Sequence, residues 1–90
     1  MDDLQQMSLQ ALKEFESVVE NSKEKLRQAC DKMDEGISMC ASGMKDEPSQ
    51  KALRDARQIT AEIRECLDPT EKLLILVKEL IDVLTQQPTM

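Results

Sequence analysis

The chain has 90 residues, the size of one domain, and carries 18 acidic against 12 basic residues for a net charge of −6. A domain this small buries roughly 60–65% of its unfolded surface. Phe15 is the lone aromatic, histidine is absent, and there are two glycines and three prolines; these counts exclude a turn-rich β-sandwich, a disulfide-dense scaffold and a basic nucleic-acid binder, and favour an all-α chain with an aliphatic and methionine core.

The first predicted element is a helix from about Asp3 to about Ser42. Its apolar and small residues fall at Leu12, Phe15, Val19, Ser22, Leu26, Ala29, Met33, Gly36 and Cys40. Those steps alternate three and four, the rhythm that keeps one seam of a helix against a partner. Leu4, Ala11, Val18 and Met39 flank that seam on one side, and Leu9, Cys30, Ile37 and Met44 on the other, giving the wider stripe of a bundle helix.

A connection over 43–48 follows. Gly43 suits the left-handed residue that ends many helices, and Pro48 suits the first turn of the next. The second helix is expected over about 49–67, with Ala52, Ala56, Ile59, Ile63 and Cys66 on its seam. Asp68-Pro69-Thr70-Glu71 then reads as an N-cap, a proline at the first helical position and a glutamate able to reach back to the cap. The third helix runs over about 69–86 with Leu73, Val77, Leu80 and Leu84 as its seam. Leu74, Leu76, Ile81 and Val83 carry its apolar surface further round, which predicts burial on two faces. Gln87-Pro88-Thr89 closes it, leaving a short tail over 87–90.

The lengths do not match. At 1.5 Å per residue the first helix spans ~60 Å and each of the others ~27 Å. Three arrangements resolve this: the long helix projects and pairs with another chain, it breaks near Asn21-Ser22 to give four helices, or it stops near Asp34-Glu35-Gly36. The unbroken seam across Ser22 favours the first. The expectation is an antiparallel bundle of three helices with a long, coiled-coil-like N-terminal helix.

Charge is uneven: before Pro48 there are 11 acidic and 6 basic residues, and after it 7 and 6. Arg27 with Asp31, Lys51 with Asp55 and Lys78 with Asp82 stand four apart and suit helix-face ion pairs.

Catalytic apparatus is hard to find. No histidine supplies a general base, no serine sits in a nucleophile elbow, and no glycine-rich loop precedes a lysine. Asp31 to Ser42 fails as a calcium loop, with Met33 third and Ser42 twelfth where a bidentate Glu is needed. Cys30, Cys40 and Cys66 are an odd number without CxxC spacing, too few for a structural zinc site and suited to a reducing compartment. No metal or cofactor is implied.

Met1 to Ser8 hold two aspartates and no basic residue, unlike a secretory signal. The longest apolar run, Leu73 to Val77, is far short of a membrane span. The chain is therefore expected in the cytoplasm or nucleus, without direct nucleic-acid or membrane binding. The reading that results is a non-catalytic interaction module, a small helical subunit or adaptor. Its partner is a protein with an amphipathic helix, or a second copy of the chain. Leu12, Phe15, Val19 and Leu26, with the later cluster Met33, Ile37, Met39 and Met44, are the residues expected to meet that partner. The alternative is a thiol-based redox or ligand-responsive regulator using Cys30, Cys40 and Cys66.

Overall fold

The computed structural model describes residues 3–86. They form α1 (Asp3–Gly43), α2 (Glu47–Arg64) and α3 (Leu67–Gln86), with no strand among the described residues. The chain is all-α.

α1 runs for 41 residues without interruption. Asn21 and Ser22 lie inside it, as do Asp34, Glu35 and Gly36, so neither the break nor the early stop forms. Asn and Ser each cost only about 0.7 kcal/mol or less against Ala in a helix, too little to break one that is packed on both sides of them. Its end differs from expectation. Gly43 is helical, and no described residue has a positive φ. The Met44 N–H continues the ladder to the Cys40 carbonyl at 2.9 Å, and the Gln50 side-chain amide donates to the Met44 carbonyl. Carbonyls that a left-handed glycine usually serves are met by the ladder and by the next helix.

α2 starts two residues earlier than expected because the cap is Asp46. Its backbone is extended (φ −67°, ψ 152°) and its carboxylate accepts from the Ser49 N–H at 3.0 Å. Pro48 sits in the first turn, where its missing N–H costs nothing. At the other end α2 stops at Arg64. The Glu65 and Cys66 N–H groups close a short turn onto the Ala61 and Ile63 carbonyls. α3 then begins at Leu67, which places Asp68 within the first turn rather than at the cap. Leu67 is half-buried, and helical backbone there brings it onto the same face as Thr70 and Leu74. Glu71 correspondingly pairs with Lys23 instead of reaching back. The expected closure at Gln87-Pro88-Thr89 and the tail over 87–90 lie outside the described residues.

The chain divides into two compact units. In the first, residues 3–23 of α1 pack with residues 68–86 of α3. The Gln5 amide donates to the Leu84 carbonyl at 2.9 Å near one end, and Lys23 meets Glu71 near the other, so the two helices run in opposite directions. In the second unit, residues 24–43 of α1 pack with α2, where Arg64 reaches both Asp31 (3.0 Å) and Asp34 (2.7 Å). Each half of α1 thus finds a helix of its own chain of similar length. The expectation that its seam outruns what this chain can cover is corrected accordingly.

The covered seam also differs in phase. On α1 the half-buried and buried residues of the first unit are Gln5, Leu9, Leu12, Glu16, Val19 and Lys23. Steps of three and four are kept, and Leu12 and Val19 are shared with the expected seam, but Glu16 and Lys23 stand where Phe15 and Ser22 were expected. α3 shows the same change: Thr70, Leu74, Val77, Ile81 and Leu84 are turned in, while Leu73 and Leu80 are exposed. Long aliphatic stems let Glu16 and Lys23 occupy a seam while their charged ends reach the edge. The expectation of two covered faces on α3 is likewise corrected, since one face is covered.

Candidate functional site: an uncovered apolar flank

Helical periodicity places the residue before each seam position on one flank and the residue after it on the other. In the first unit, the residues that follow seam positions include Lys13, Ser17 and Glu20 on α1 and Glu71, Lys78, Asp82 and Thr85 on α3. Glu20 and Lys78 meet at 3.7 Å. Both helices therefore turn this polar flank to the same side. The preceding residues must share the opposite side.

That opposite side is apolar on both helices. On α1 it holds Leu4, Ala11, Phe15 and Val18, with Met7 next to it and the uncharged Ser8 and Ser22 among them; on α3 it holds Leu73, Leu76, Leu80 and Val83. Eight of these, all but Ala11 and the two serines, are large hydrophobic side chains open to water, from Leu73 at 41% to Leu4 at 76%. By contrast, the buried apolar residues among those described are Val19, Cys30, Leu74 and Val77. More hydrocarbon lies outside than two paired helices can enclose. No position of this apolar flank carries an ionisable group, so what the surface offers is dewetting rather than proton chemistry.

The electrostatics sit on the other side. The Lys23 ammonium, by hydrogen bond and then by charge, holds the Glu71 carboxyl below the usual glutamate range. In the second unit, Glu24 first and Asp31 after it push the Arg27 guanidinium up, while Asp34 and Asp31 raise that of Arg64. The expected Arg27–Asp31 pair forms at 3.1 Å. Lys78 reaches across to Glu20.

The eight expected contact residues divide. Val19 is 4% exposed and closed off by its own chain; Leu12, Leu26 and Ile37 are half-buried in the seams. Phe15 is exposed on the apolar flank, and Met33, Met39 and Met44 are exposed in the second unit. The α3 members of the flank were not among the eight. Their signal was nonetheless present: Leu73 and Leu80 together with Leu74 and Ile81 describe two overlapping seams, of which one helix partner can cover one.

The thiols separate as well. None is in a disulfide; Cys30 is buried, and Cys40 and Cys66 are exposed. Cys40 lies just before the connection that opens α2, and Cys66 just beyond that helix's end. Eighteen helical residues span ~27 Å, against the ~6 Å a disulfide allows between Cα atoms. Among the described residues no group of acids and cysteines is arranged to hold a metal ion, and no helix is long and apolar enough to cross a membrane. A shallow depression between Asp3, Gln6, Met7 and Gln10 follows one helix face and gathers no catalytic set.

No family model matches the sequence, and no curated protein or solved structure matches the chain.

Proposed function

We propose that the chain is a non-catalytic interaction module, a small helical subunit or adaptor that takes a partner helix onto its bundle surface. One observation carries the reading: the first unit presents a second heptad-spaced seam, Phe15 and Val18 with Leu73, Leu76, Leu80 and Val83, that none of its own helices covers. Monomers seldom leave contiguous apolar patches beyond ~300–600 Å² unless something binds there. With a partner helix in place, the two packed helices of the first unit become a three-helix arrangement. Three thiols outside any disulfide support a reducing compartment, the cytoplasm or nucleus, as the setting of this work.

The test compares two flanks of one helix. Leu76→Asp lies on the apolar flank and Ile75→Asp on the opposite one, and the native residues are similarly exposed, at 56% and 47%. Native complexes purified from the source cell are expected to lose their partner with Leu76→Asp and keep it with Ile75→Asp, while circular dichroism shows both variants helical. Equal behaviour of the two in complex would remove the basis of the reading.

A further inference from the structure

We infer that the occupant of this flank is the same flank of a second copy of the chain, laid antiparallel on it about a twofold axis at the height of Leu76. The inference rests on the docking reading above and names the partner. A second copy brings its own helix pair, so four helices share one core where a lone partner helix would give three. The stripe on α3 matches itself: Pro69, Leu73, Leu76, Leu80 and Val83 are exposed and spaced four, three, four and three. Turned end for end about Leu76, Leu73 falls at the height of Leu80 to within one residue, or ~1.5 Å, and Pro69 falls at that of Val83. A twofold contact needs such a surface, because whatever residue i meets on the partner must meet residue i in return. The cross-helix contacts Gln5–Leu84, Lys23–Glu71 and Glu20–Lys78 set Leu76 level with the Phe15–Val18 stretch of α1. The same axis therefore brings Phe15 of one copy to Val18 of the other. Weighted by exposure, Phe15, Val18, Leu73, Leu76, Leu80 and Val83 offer on the order of 500 Å²; two copies together bring about 1,000 Å², where specific interfaces begin.

Charge on the borders agrees with that axis. The next position round from the flank holds Met7, Glu14 and Asn21 on α1, and Lys72, Glu79 and Gln86 on α3, all exposed and flanking the stripe. With the axis at Leu76, Lys72 of each copy lies beside Glu79 of the other, once on either side of the axis. Glu14 comes nearest to the uncharged Asn21 of the other copy. Other twofold arrangements lose this match. An axis one turn further along α3 sets Glu79 against its own counterpart, and an axis parallel to the helices sets Glu14 against Glu79 on both borders. Like charges opposed in this way disfavour the pairing. A foreign helix requires only an apolar face. It gives no reason for one cation and one anion to stand about equally far from the centre of a stripe that already matches itself.

The test is the mass of the full chain by sedimentation equilibrium under reducing conditions, followed with concentration. Dimers of twice the 10.2 kDa chain mass are expected. Leu76→Asp, which sets two carboxylates at the axis, dissolves them, and so, separately, does Leu80→Asp, while circular dichroism shows that helicity is kept. Ile75→Asp, on the opposite flank, leaves them intact. Lys72→Glu and Glu79→Lys each weaken the dimer about tenfold or more, a loss that shrinks with added salt, and the two changes together restore it. Dimers indifferent to the single reversals overturn the axis at Leu76, and dimers that survive both aspartates overturn the flank as the contact. A chain that stays monomeric overturns the second copy. Monomers whose native complexes still lose a partner with Leu76→Asp make the occupant a different protein. Monomers that adsorb to phosphatidylcholine vesicles, but not as Leu76→Asp, make it a bilayer surface. Both of these results leave the docking reading standing, whereas monomers with neither behaviour overturn that reading as well.

Discussion

The two units are built on the same helix by the same rule, yet they finish differently. In both, half of α1 pairs with a helix of its own chain, and ion pairs lie on the flank that follows the seam: Glu20–Lys78 in the first, Arg64 with Asp31 in the second, where Arg64 also reaches Asp34 in the seam. The flanks that precede the seam diverge. In the first unit this flank carries Phe15, Val18, Leu73, Leu76, Leu80 and Val83. In the second it carries Ala29, Gly36, Cys40 and Ala52 with Met33 and Ile59, interrupted by Lys25, Asp55 and Glu62. Scattered exposed apolar residues are normal on a monomer, and a continuous stripe of them is not. A seam fixes which two helices pair; the flank beside it determines whether that pair is complete.

The largest expected effect falls on the buried seam. Leu74 is 5% exposed, and Leu74→Ala removes hydrocarbon from a thin interface, for a loss of about 2–4 kcal/mol and a melting point lower by roughly 10 °C or more. Hydrogen exchange places the damage: amides of α3 and of the first half of α1 lose protection before those of α2. Uniform loss across all three helices would show that the two units open as one and would break the comparison. Its counterpart in the second unit is Cys30, fully buried. Cys30→Ser places a hydroxyl there at a cost of about 1–3 kcal/mol, with exchange rising first in α2. Cys40→Ser, at an exposed site, changes stability by less than about 0.5 kcal/mol. If Cys40→Ser proves the costlier of the two, Cys30 is not what holds the second unit.

Helix content and breakpoints were legible in the sequence because they depend on local chemistry: spacing of three and four, a proline in a first turn, and few residues that interrupt a helix. Two details escaped that logic, the left-handed Gly43 and the cap at Asp68, since each could be replaced by another way of meeting the same N–H or carbonyl groups. The phase of the seam was not legible. α1 offers Phe15 or Glu16 beside Leu12 and Val19, and α3 offers Leu73 or Leu74 beside Val77; apolar count prefers Phe15 on α1 and does not separate the two seams of α3. The observed phase goes with non-local pairings that the local pattern does not show: Lys23 meets Glu71, and Glu20 meets Lys78, across helices far apart in sequence. The expected contact set was displaced with the phase. It named seam residues that the chain covers itself, such as Val19, and passed over the leucines of α3 that it leaves open.

Gly36 allows a gentler probe of the second unit. It is helical, exposed and without a positive φ, and a Cβ built there meets nothing within 4 Å. Gly36→Ala narrows the unfolded ensemble and is expected to raise stability by about 0.5–1 kcal/mol, seen as a higher urea midpoint with an unchanged slope. A destabilised variant would mean that another surface approaches this position too closely to admit a methyl group.

Acid provides the finest distinction between the units, because each has one carboxylate held below its usual range, for a different reason. In the first unit Glu71 is lowered by the Lys23 ammonium across the helix pair; in the second Asp46 is lowered by hydrogen bonds from Ser49 at the start of α2. A carboxyl whose folded pKa is depressed contributes stability above its unfolded value, near 4, and loses that contribution as pH falls through the folded value. The raised Arg27 and Arg64 guanidiniums contribute fully below their already high unfolded values and so do not change across this window. Melting points followed from pH 7 to pH 3 should fall more gently for Glu71→Gln, which no longer has the ion pair to lose, with the remaining acid-induced exchange rising at the first turn of α2. Asp46→Asn keeps a capping oxygen and should leave the α2 end indifferent to acid while the α1–α3 contact still loosens. Both variants retaining the wild-type acid slope at both places would show that neither contact is sensed in solution. The units would then differ in their apolar flanks alone.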